Sequence, residues 1–296
     1  VDELKDGEHK IVYGMPYEEY AAYPAVNGSL LAMVHSESLR TVRAYLDGKR
    51  KWESDEMDFG SAFHALLLEG KEEFTEQPET YPAPAKHAKV KKGEVKEGDP
   101  LPWNANAGVC EQWLLDNPGT VLTKSEVVQV RGMVDAVRAE EELTKLLSGK
   151  SEVSVFVRKA EEHFKIRVDL LPDDPKAPVI DFKKTKSAKP EKFVRQIFDL
   201  SYCLKAAFYL KVLRMAGIDR KEFWFVGIEK DYPHDTYVSK LRPTGLGMLE
   251  YGSSISKKAY LKLMAAYKRN YWPSHGAGDA EDHITPFMMS KIESEL

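Results

Sequence analysis

The apolar residues of this chain change period part-way along, and that change limits the possible fold more than any other feature. Before about residue 150 they recur mainly at helical spacing. From Glu152 they alternate, in "VSVFV", "HFKIRVDLL", "PVIDFKKT" and later "EFWFVGIEK" and "DTYVSKL". Alternation predicts strands with one face turned to a core. Between the third and fourth strands lies "EKFVRQIFDLSYCLKAAFYLKVLRMAGI", a helical region of two helices or one bent helix. A last helix is expected over about 245–270. Helices, then strands, then a helical crossing between strands predict a mixed α/β domain. No internal repeat is present.

The N-terminal part reads as helical. Asn27 or Ser29 is placed to cap "LLAMVH", Ser36 or Ser38 to cap "LRTVRAYLDG", and Gly70 to close the apolar helix "MDFGSAFHALLLEG". The stretch "QPETYPAPAKHAKVKKGEVKEGDPLPWNANAG" holds five prolines and five lysines without a period and is expected to be a long loop. Helices are expected over about 109–116 and 124–147. The expected organisation is a single domain over 1–296: a helical part over 1–75, the Pro/Lys-rich loop over 76–108, and the remaining helices with an α/β core over 109–296.

Composition excludes several functions. The 296 residues, 43% hydrophobic and 30% charged, suffice for a real core. A net charge of −4 rules out a chain that is basic all over, so attraction to DNA needs a local patch or bound cations. No run approaches about 18 consecutive apolar residues, and no signal-peptide pattern opens the chain. The two cysteines, Cys110 and Cys203, are far apart and cannot supply a four-cysteine zinc or iron–sulfur site. A reducing cytoplasm is the expected compartment. The chain begins at Val1 rather than methionine, which leaves open that it is part of a longer protein.

The chemistry concentrates on two neighbouring strands. On Phe164–Leu171, alternation puts Phe164, Ile166, Val168 and Leu170 on one face and Lys165, Arg167 and Asp169 on the other. After the turn "PDDPKAP", in which Asp173 and Asp174 read as turn formers, Asp181 and Lys183 also share a face. An antiparallel pairing brings Asp169, Asp181 and Lys183 together. Two carboxylates suit a hard divalent cation such as Mg²⁺. Such an ion acidifies water and neutralises charge on a phosphate, and a lysine beside it orients water or steadies transition-state charge. His64, the only polar residue from Ala62 to Leu68, is either a core histidine or a fourth ligand that also admits Mn²⁺.

In the order "GSAFHALLLEG", "KIRVDLL", "VIDFKKTKSA", "YCLKAAFY", the chain resembles the PD-(D/E)xK nucleases of the RecB and RecE type, and among them the C-terminal nuclease domain of RecE (exonuclease VIII). The likeness runs from about residue 11 to 275 and includes the lead-in "NGSLLAMVHSESLRTVRAYLDG". It implies a restriction-endonuclease-like core, a mixed central sheet flanked by helices, with an N-terminal helical lead-in. It implies His64, Asp169 and Asp181 as metal ligands and Lys183 as the catalytic lysine. Val168 stands where the motif has proline, and Lys184 where threonine is frequent. The downstream helix of the family carries Gln-x-x-x-Tyr; here Lys205 replaces the glutamine and Tyr209 keeps the tyrosine. Glu152, Tyr202, Lys205, Tyr209, Lys184 and Lys186 are candidate outer-shell or DNA-contacting residues.

The run Lys183, Lys184, Lys186, Lys189, Lys192 and Arg195 suggests a phosphate track, with lysines of the Pro-rich stretch and the last helix as further candidates. Nothing resembles a base-reading motif, so recognition through backbone and strand end is expected. The resemblance implies a Mg²⁺-dependent exonuclease, bacterial or phage-encoded, that digests one strand of linear double-stranded DNA from the 5′ end. It leaves 3′ tails for an annealing partner and works as a ring-shaped homo-oligomer. The competing readings are a structure-selective or repair endonuclease on the same fold and a non-catalytic DNA-binding accessory protein of recombination.

Overall fold

The structure is a computed structural model that describes residues 4–50 and 55–276. Its strands are β1 (His9–Val12), β2 (Thr75–Glu76), β3 (Thr80–Pro82), β4 (Pro100–Pro102), β5 (Val121–Leu122), β6 (Gly149–Lys159), β7 (Glu162–Pro172), β8 (Val179–Thr185), β9 (Phe223–Glu229) and β10 (Thr236–Leu241). Its helices are α1 (Tyr17–Ala22), α2 (Gly28–Ser36), α3 (Leu39–Leu46), α4 (Asp55–His64), α5 (Ala88–Lys91), α6 (Gly108–Asp116), α7 (Lys124–Ala139), α8 (Glu141–Leu146), α9 (Pro190–Asp199), α10 (Tyr202–Met215) and α11 (Met248–Arg269).

The central sheet has six strands in the order β1-β6-β7-β8-β9-β10. Only β8 and β9 run parallel, because α9 and α10 carry the chain back across the sheet between them. The remaining pairs are antiparallel. All five expected strands form. β1 was not foreseen; four residues are too few for alternation to declare itself.

The helix ends follow capping chemistry. The Asn27 side chain accepts a hydrogen bond from Leu30 N, and Ser38 from Thr41 N. At α7, Thr123 and Glu126 form a reciprocal capping box. Gly70, at φ +67°, closes the α4 region as expected. Helix over 124–147 breaks at Glu140 into α7 and α8, and the long crossing breaks at Ser201, which adopts φ +55°.

Apolar residues cover both faces of the sheet. One cluster joins Val34, Val155, Ile166, Leu204, Phe225 and Leu263, packing α2, α10 and α11 on β6, β7 and β9. The other joins Phe59, Phe63, Met133, Phe182 and Ile228, packing α4 and α7 on β8 and β9. Each fully buried aromatic or aliphatic side chain of this kind contributes about 1.5–3 kcal/mol before entropy is counted. α10 and α11 cross so closely that a Cβ on Gly252 would lie 2.1 Å from the Cys203 carbonyl oxygen.

Two expectations are corrected. The Pro/Lys-rich stretch over 76–108 is not an unstructured loop. β3 pairs with β4, α5 lies between them, and Tyr81, Ala83, Leu101 and Cys110 form a small core of their own. Pro82, Pro100 and Pro102 stand at exposed strand positions, where a missing N–H costs little, so they do not prevent the pairing. The second correction concerns β7. Phe164, Ile166 and Val168 pack into the α10 cluster, but Leu170 packs into the α4 cluster on the other side. The strand changes face at Asp169, where the facing Glu152 has φ +50° and the pairing between them is interrupted.

Candidate active site

The site is built on a fork in the sheet. β7 and β8 meet through a single residue pair, Leu170 opposite Ile180. Past it, β7 stays with β6 and β8 with β9. Asp169 and Asp181 are the next residues on the two prongs. The Arg220 guanidinium braces the closed end, donating to the carbonyls of Pro172 and Ala177 at 2.7 and 2.9 Å and to that of Asp174. Asp173 and Asp174 act there as turn formers: Asp173 accepts from Ser148 Oγ and Asp174 from Lys176 N.

His64 ends α4, where the helix loosens into a π-helical turn over Ala65–Glu69, a distortion frequent at functional sites. Its Nε2 lies 3.0 Å from the Phe182 carbonyl oxygen, to which it donates, and 3.6 Å from Asp169 Oδ2. Lys183 Nζ is ion-paired with Asp181 Oδ1 and stands 3.9 Å from Asp169 Oδ2. The four expected residues therefore converge. They are only 14–24% exposed, enclosed but open to a small ligand.

Glu152 joins them from β6, ion-paired with Arg167. Arg167 also donates to the Met15 carbonyl, and Lys165 donates to the carbonyls of Tyr20, Ala21 and Tyr23 at 2.7–2.9 Å. These two cations tie α1 to the polar face of β7, and burial brings the Lys165 pKa down to about 8. Sequence alternation put both on the face of Asp169 but gave no sign of their partners, which lie about 140 to 150 residues away.

The electrostatics call for a cation. Three carboxylates, Glu152, Asp169 and Asp181, occupy adjacent strands. Asp169 is pushed up from 3.8 to about 6, first by burial and then by Asp181, against the opposing pull of His64 and Lys183. Lys183 is held above its ordinary range: burial opposes its charge, but Asp181 and Asp169 outweigh it. It is a firm cation here rather than a base. Lys183 engages Asp181 Oδ1, so of the two aspartates it is Asp169 whose buried Oδ2 has no hydrogen-bond partner, with His64 Nε2 and Lys183 Nζ 3.6 and 3.9 Å away. A buried carboxylate oxygen without a partner, beside an imidazole and a second carboxylate, fits a divalent ion.

Among the described residues, one ligand atom each from His64, Glu152 and Asp169 lie within 4.8 Å of one another. This set differs from the expected His64, Asp169 and Asp181: Lys183, two residues along the same strand, engages Asp181, while Glu152 comes up beside Asp169. The Phe182 carbonyl adds an oxygen that side-chain patterns cannot reveal. The adjoining cleft, of about 310 Å³, is lined in part by Tyr17, Tyr20, Gly28, Ser29, Arg167 and Tyr209. Two cavities of about 660 Å³ lie elsewhere, but the carboxylates do not converge there.

The other sequence candidates separate. On α10, Tyr202 stacks on Phe225, with ring centroids 5.5 Å apart, and Tyr209 lines the cleft against Phe223. Burial raises the Tyr209 pKa well above 10, so it stays neutral. Lys183 and Lys205 each lie near the Tyr202 ring, at 5.7 and 5.8 Å. Lys184, one residue from Lys183, points to the opposite face of β8, over the Phe59 ring, in a cavity shared with Lys186 and Lys230. Strand alternation thus divides the basic run between two surfaces instead of laying one track.

Residues 34–283, which include His64, both aspartates and Lys183, match a family described as a PDDEXK-like domain of unknown function. The chain belongs to this family. The lead-in before residue 34, with α1 and most of α2, lies outside the match. No curated relative matches. A crystal structure from Eubacterium rectale, of a protein provisionally named an exonuclease, is similar over 95% of this chain and 99% of its own, with a TM-score of 0.59 and 15% identity. At that identity the likeness speaks for the fold alone. A structure of SSO0001 overlaps 56% of this chain and 76% of its own at 15% identity, with a TM-score of 0.28, too low to bear on the fold. The PD-(D/E)xK fold expected from sequence is therefore the fold of this chain, while the narrower likeness to RecE has no separate support from these matches. Among the described residues no helix is long and apolar enough to cross a membrane.

Proposed function

We propose that this chain is a divalent-metal-dependent DNA exonuclease acting on linear duplex ends. The observation that carries the reading is the buried Asp169 Oδ2, without a hydrogen-bond partner and set among His64, Glu152 and Lys183 at the open end of the fork. Asp169 and Glu152 would hold the ion together with His64, whose Nε2 must first give up the proton it donates to the Phe182 carbonyl, and Asp181 and that carbonyl are further donors. A bound Mg²⁺ or Mn²⁺ supplies an acidified water and offsets charge gathering on the phosphate. Lys183, kept charged by the two aspartates, orients the attacking water and steadies the negative charge of the transition state. Tyr209 stays protonated in the cleft wall and donates to a phosphate or sugar oxygen.

The family membership and the resemblance to RecE support this choice over other phosphodiesterases. The resemblance also motivates 5′-to-3′ polarity, 3′ single-stranded products for an annealing partner in recombination or repair, and a ring-shaped homo-oligomer. The alternative endonuclease reading shares the whole site and differs in substrate. The deciding test is digestion of 5′-labelled linear duplex beside covalently closed circular duplex, in Mg²⁺ and in EDTA. The proposal expects linear DNA to shorten from its 5′ ends with the circle intact. Nicking of the circle would favour the endonuclease, and no Mg²⁺-dependent cleavage of either would leave a non-catalytic DNA-binding protein.

A further inference from the structure

A cavity of about 660 Å³ lies across β8 from the carboxylates. The C-terminal ends of the parallel strands β8 and β9 form its rim, a place where open α/β sheets bind ligands. Two ammonium groups approach the Phe59 ring that lines it, Lys230 Nζ at 4.5 Å and Lys184 Nζ at 5.2 Å from the ring centroid. Lys186 lines the same cavity and is exposed. The carboxylates there equal the lysines in number but are committed to other donors. Glu126 holds Lys230 at 3.4 Å and caps α7 at Thr123. Glu229 accepts from Ala188 N at 2.6 Å, and Asp231 from Gln129 Nε2 at 3.1 Å. Among the described residues Lys184 and Lys186 are left without a carboxylate partner. The Gln196 side chain accepts from Thr185 Oγ1 at 2.7 Å, which leaves its amide nitrogen as a further donor without a partner.

β8 separates this cavity from the catalytic cleft. Lys183 and Lys184 are consecutive, so their side chains leave the strand on opposite faces. α4 runs past both places, with Phe59 at the cavity and His64 at the carboxylates, about 7.5 Å apart along the helix axis. A duplex that offers one strand to the carboxylates has to lead the other past the tip of β8. The cavity beyond that tip presents two cations and an amide donor, all without partners. Lysines on flexible stems bind phosphate as point charges and read no base, which suits a backbone of any sequence.

We propose that Lys184, Lys186 and Gln196 form a phosphate site for the strand that is not cleaved, so that the tip of β8 stands between the two strands of the substrate. This rests on the nuclease reading and deepens it, giving the cations on the far side of β8 a defined ligand. A free mononucleotide carries a similar phosphate, and the experiment separates it from the strand.

The test is anisotropy of fluorescein-labelled duplexes in Ca²⁺ over a range of NaCl concentrations: one blunt, one with a short 3′ tail and one with a short 5′ tail. The proteins are the wild type, the double variant Lys184→Gln with Lys186→Gln, and the double variant Lys184→Arg with Lys186→Arg. The wild type is expected to hold one of the tailed duplexes about tenfold tighter than the blunt one. The glutamine variant is expected to lose that preference and to reduce the salt slope on that duplex by about 1.4, at about 0.7 for each single-strand phosphate contact. Its calorimetric Mn²⁺ affinity should stay within about twofold of the wild type. The arginine variant should keep the preference, because the charges survive. The site is overturned if the wild type prefers neither tail, or if the glutamine variant keeps the preference and the slope. Equal loss of blunt and tailed duplex in that variant also overturns it, since the cavity would then serve the duplex as a whole. So does free deoxyadenosine monophosphate displacing the tail at concentrations near the tail's own dissociation constant, which would make the cavity a mononucleotide pocket. Cleavage of blunt duplex in Mg²⁺ by the wild type reports the nuclease reading separately. Its absence overturns that reading, whereas cleavage without a tail preference overturns the site alone.

Discussion

At the scale of single residues, the site trades stability for a cation-binding geometry. Asp169 is the clearest case, pressed between burial and two carboxylates. Asp169→Asn should remove the repulsion and raise the stability of the metal-free protein by about 1 kcal/mol, a gain of a few degrees in melting temperature. It should also abolish the further rise that Mn²⁺ gives the wild type; thermal melts with and without Mn²⁺ check both. The pH dependence has a definite sign. Because folding raises the Asp169 pKa from 3.8 to about 6, its proton stabilises the metal-free fold, fully below pH 3.8 and no longer once pH rises through 6. Mn²⁺ must displace that proton, so calorimetric affinity should fall as pH drops below about 6, with protons released on binding. The meeting of Asp169, Asp181 and Lys183 was legible in the sequence because two-residue spacing along a strand fixes a shared face, whereas His64 joined them only through the family resemblance, since a lone histidine in an apolar helix reads as readily as a core residue. Glu152 as a close neighbour of Asp169 was only an open candidate. Its position depends on a left-handed backbone conformation that no local pattern announces.

At the scale of elements, the fork between β7 and β8 decides what the side chains can do. One hydrogen-bonded pair holds the prongs together, and Arg220 fixes their turn from a distance of more than 40 residues. The strands themselves were readable from alternation, and the helix ends from Asn27, Ser38 and Gly70. The change of face at Asp169 was not, since alternation assumes an unbroken pleat. Nor was the small lobe around Tyr81 and Leu101, whose prolines and lysines mask a pairing between segments about 20 residues apart. The close crossing of α10 and α11 gives an element-level prediction. Gly252→Ala would drive a methyl into the Cys203 carbonyl, part the helices and lower stability by about 3 kcal/mol. Chemical denaturation would measure this, and because α10 carries Lys205 and Tyr209, duplex binding should weaken as well.

At the scale of the whole molecule, a net charge of −4 means that DNA is not drawn in by the overall field, and the local cations and the metal must supply the attraction. Strand alternation puts Lys183 on the cleft face and Lys184 on the other, so two basic surfaces flank the fork where the sequence alone suggested one track. The fold class followed from the change in period, whereas this division depends on strand faces that become visible only when the sheet is assembled. The proposal turns on the fork being a metal-dependent phosphodiesterase centre with Lys183 as its charge-stabilising residue. The most direct measurement is the single-turnover rate of linear duplex cleavage in saturating Mg²⁺ for the wild type and Lys183→Ala, with Mn²⁺ affinity and melting temperature measured on the same samples. The account predicts a loss of about a hundredfold or more in rate, with the metal still bound and the fold intact. A Lys183→Ala protein that cleaves as fast as the wild type would contradict it.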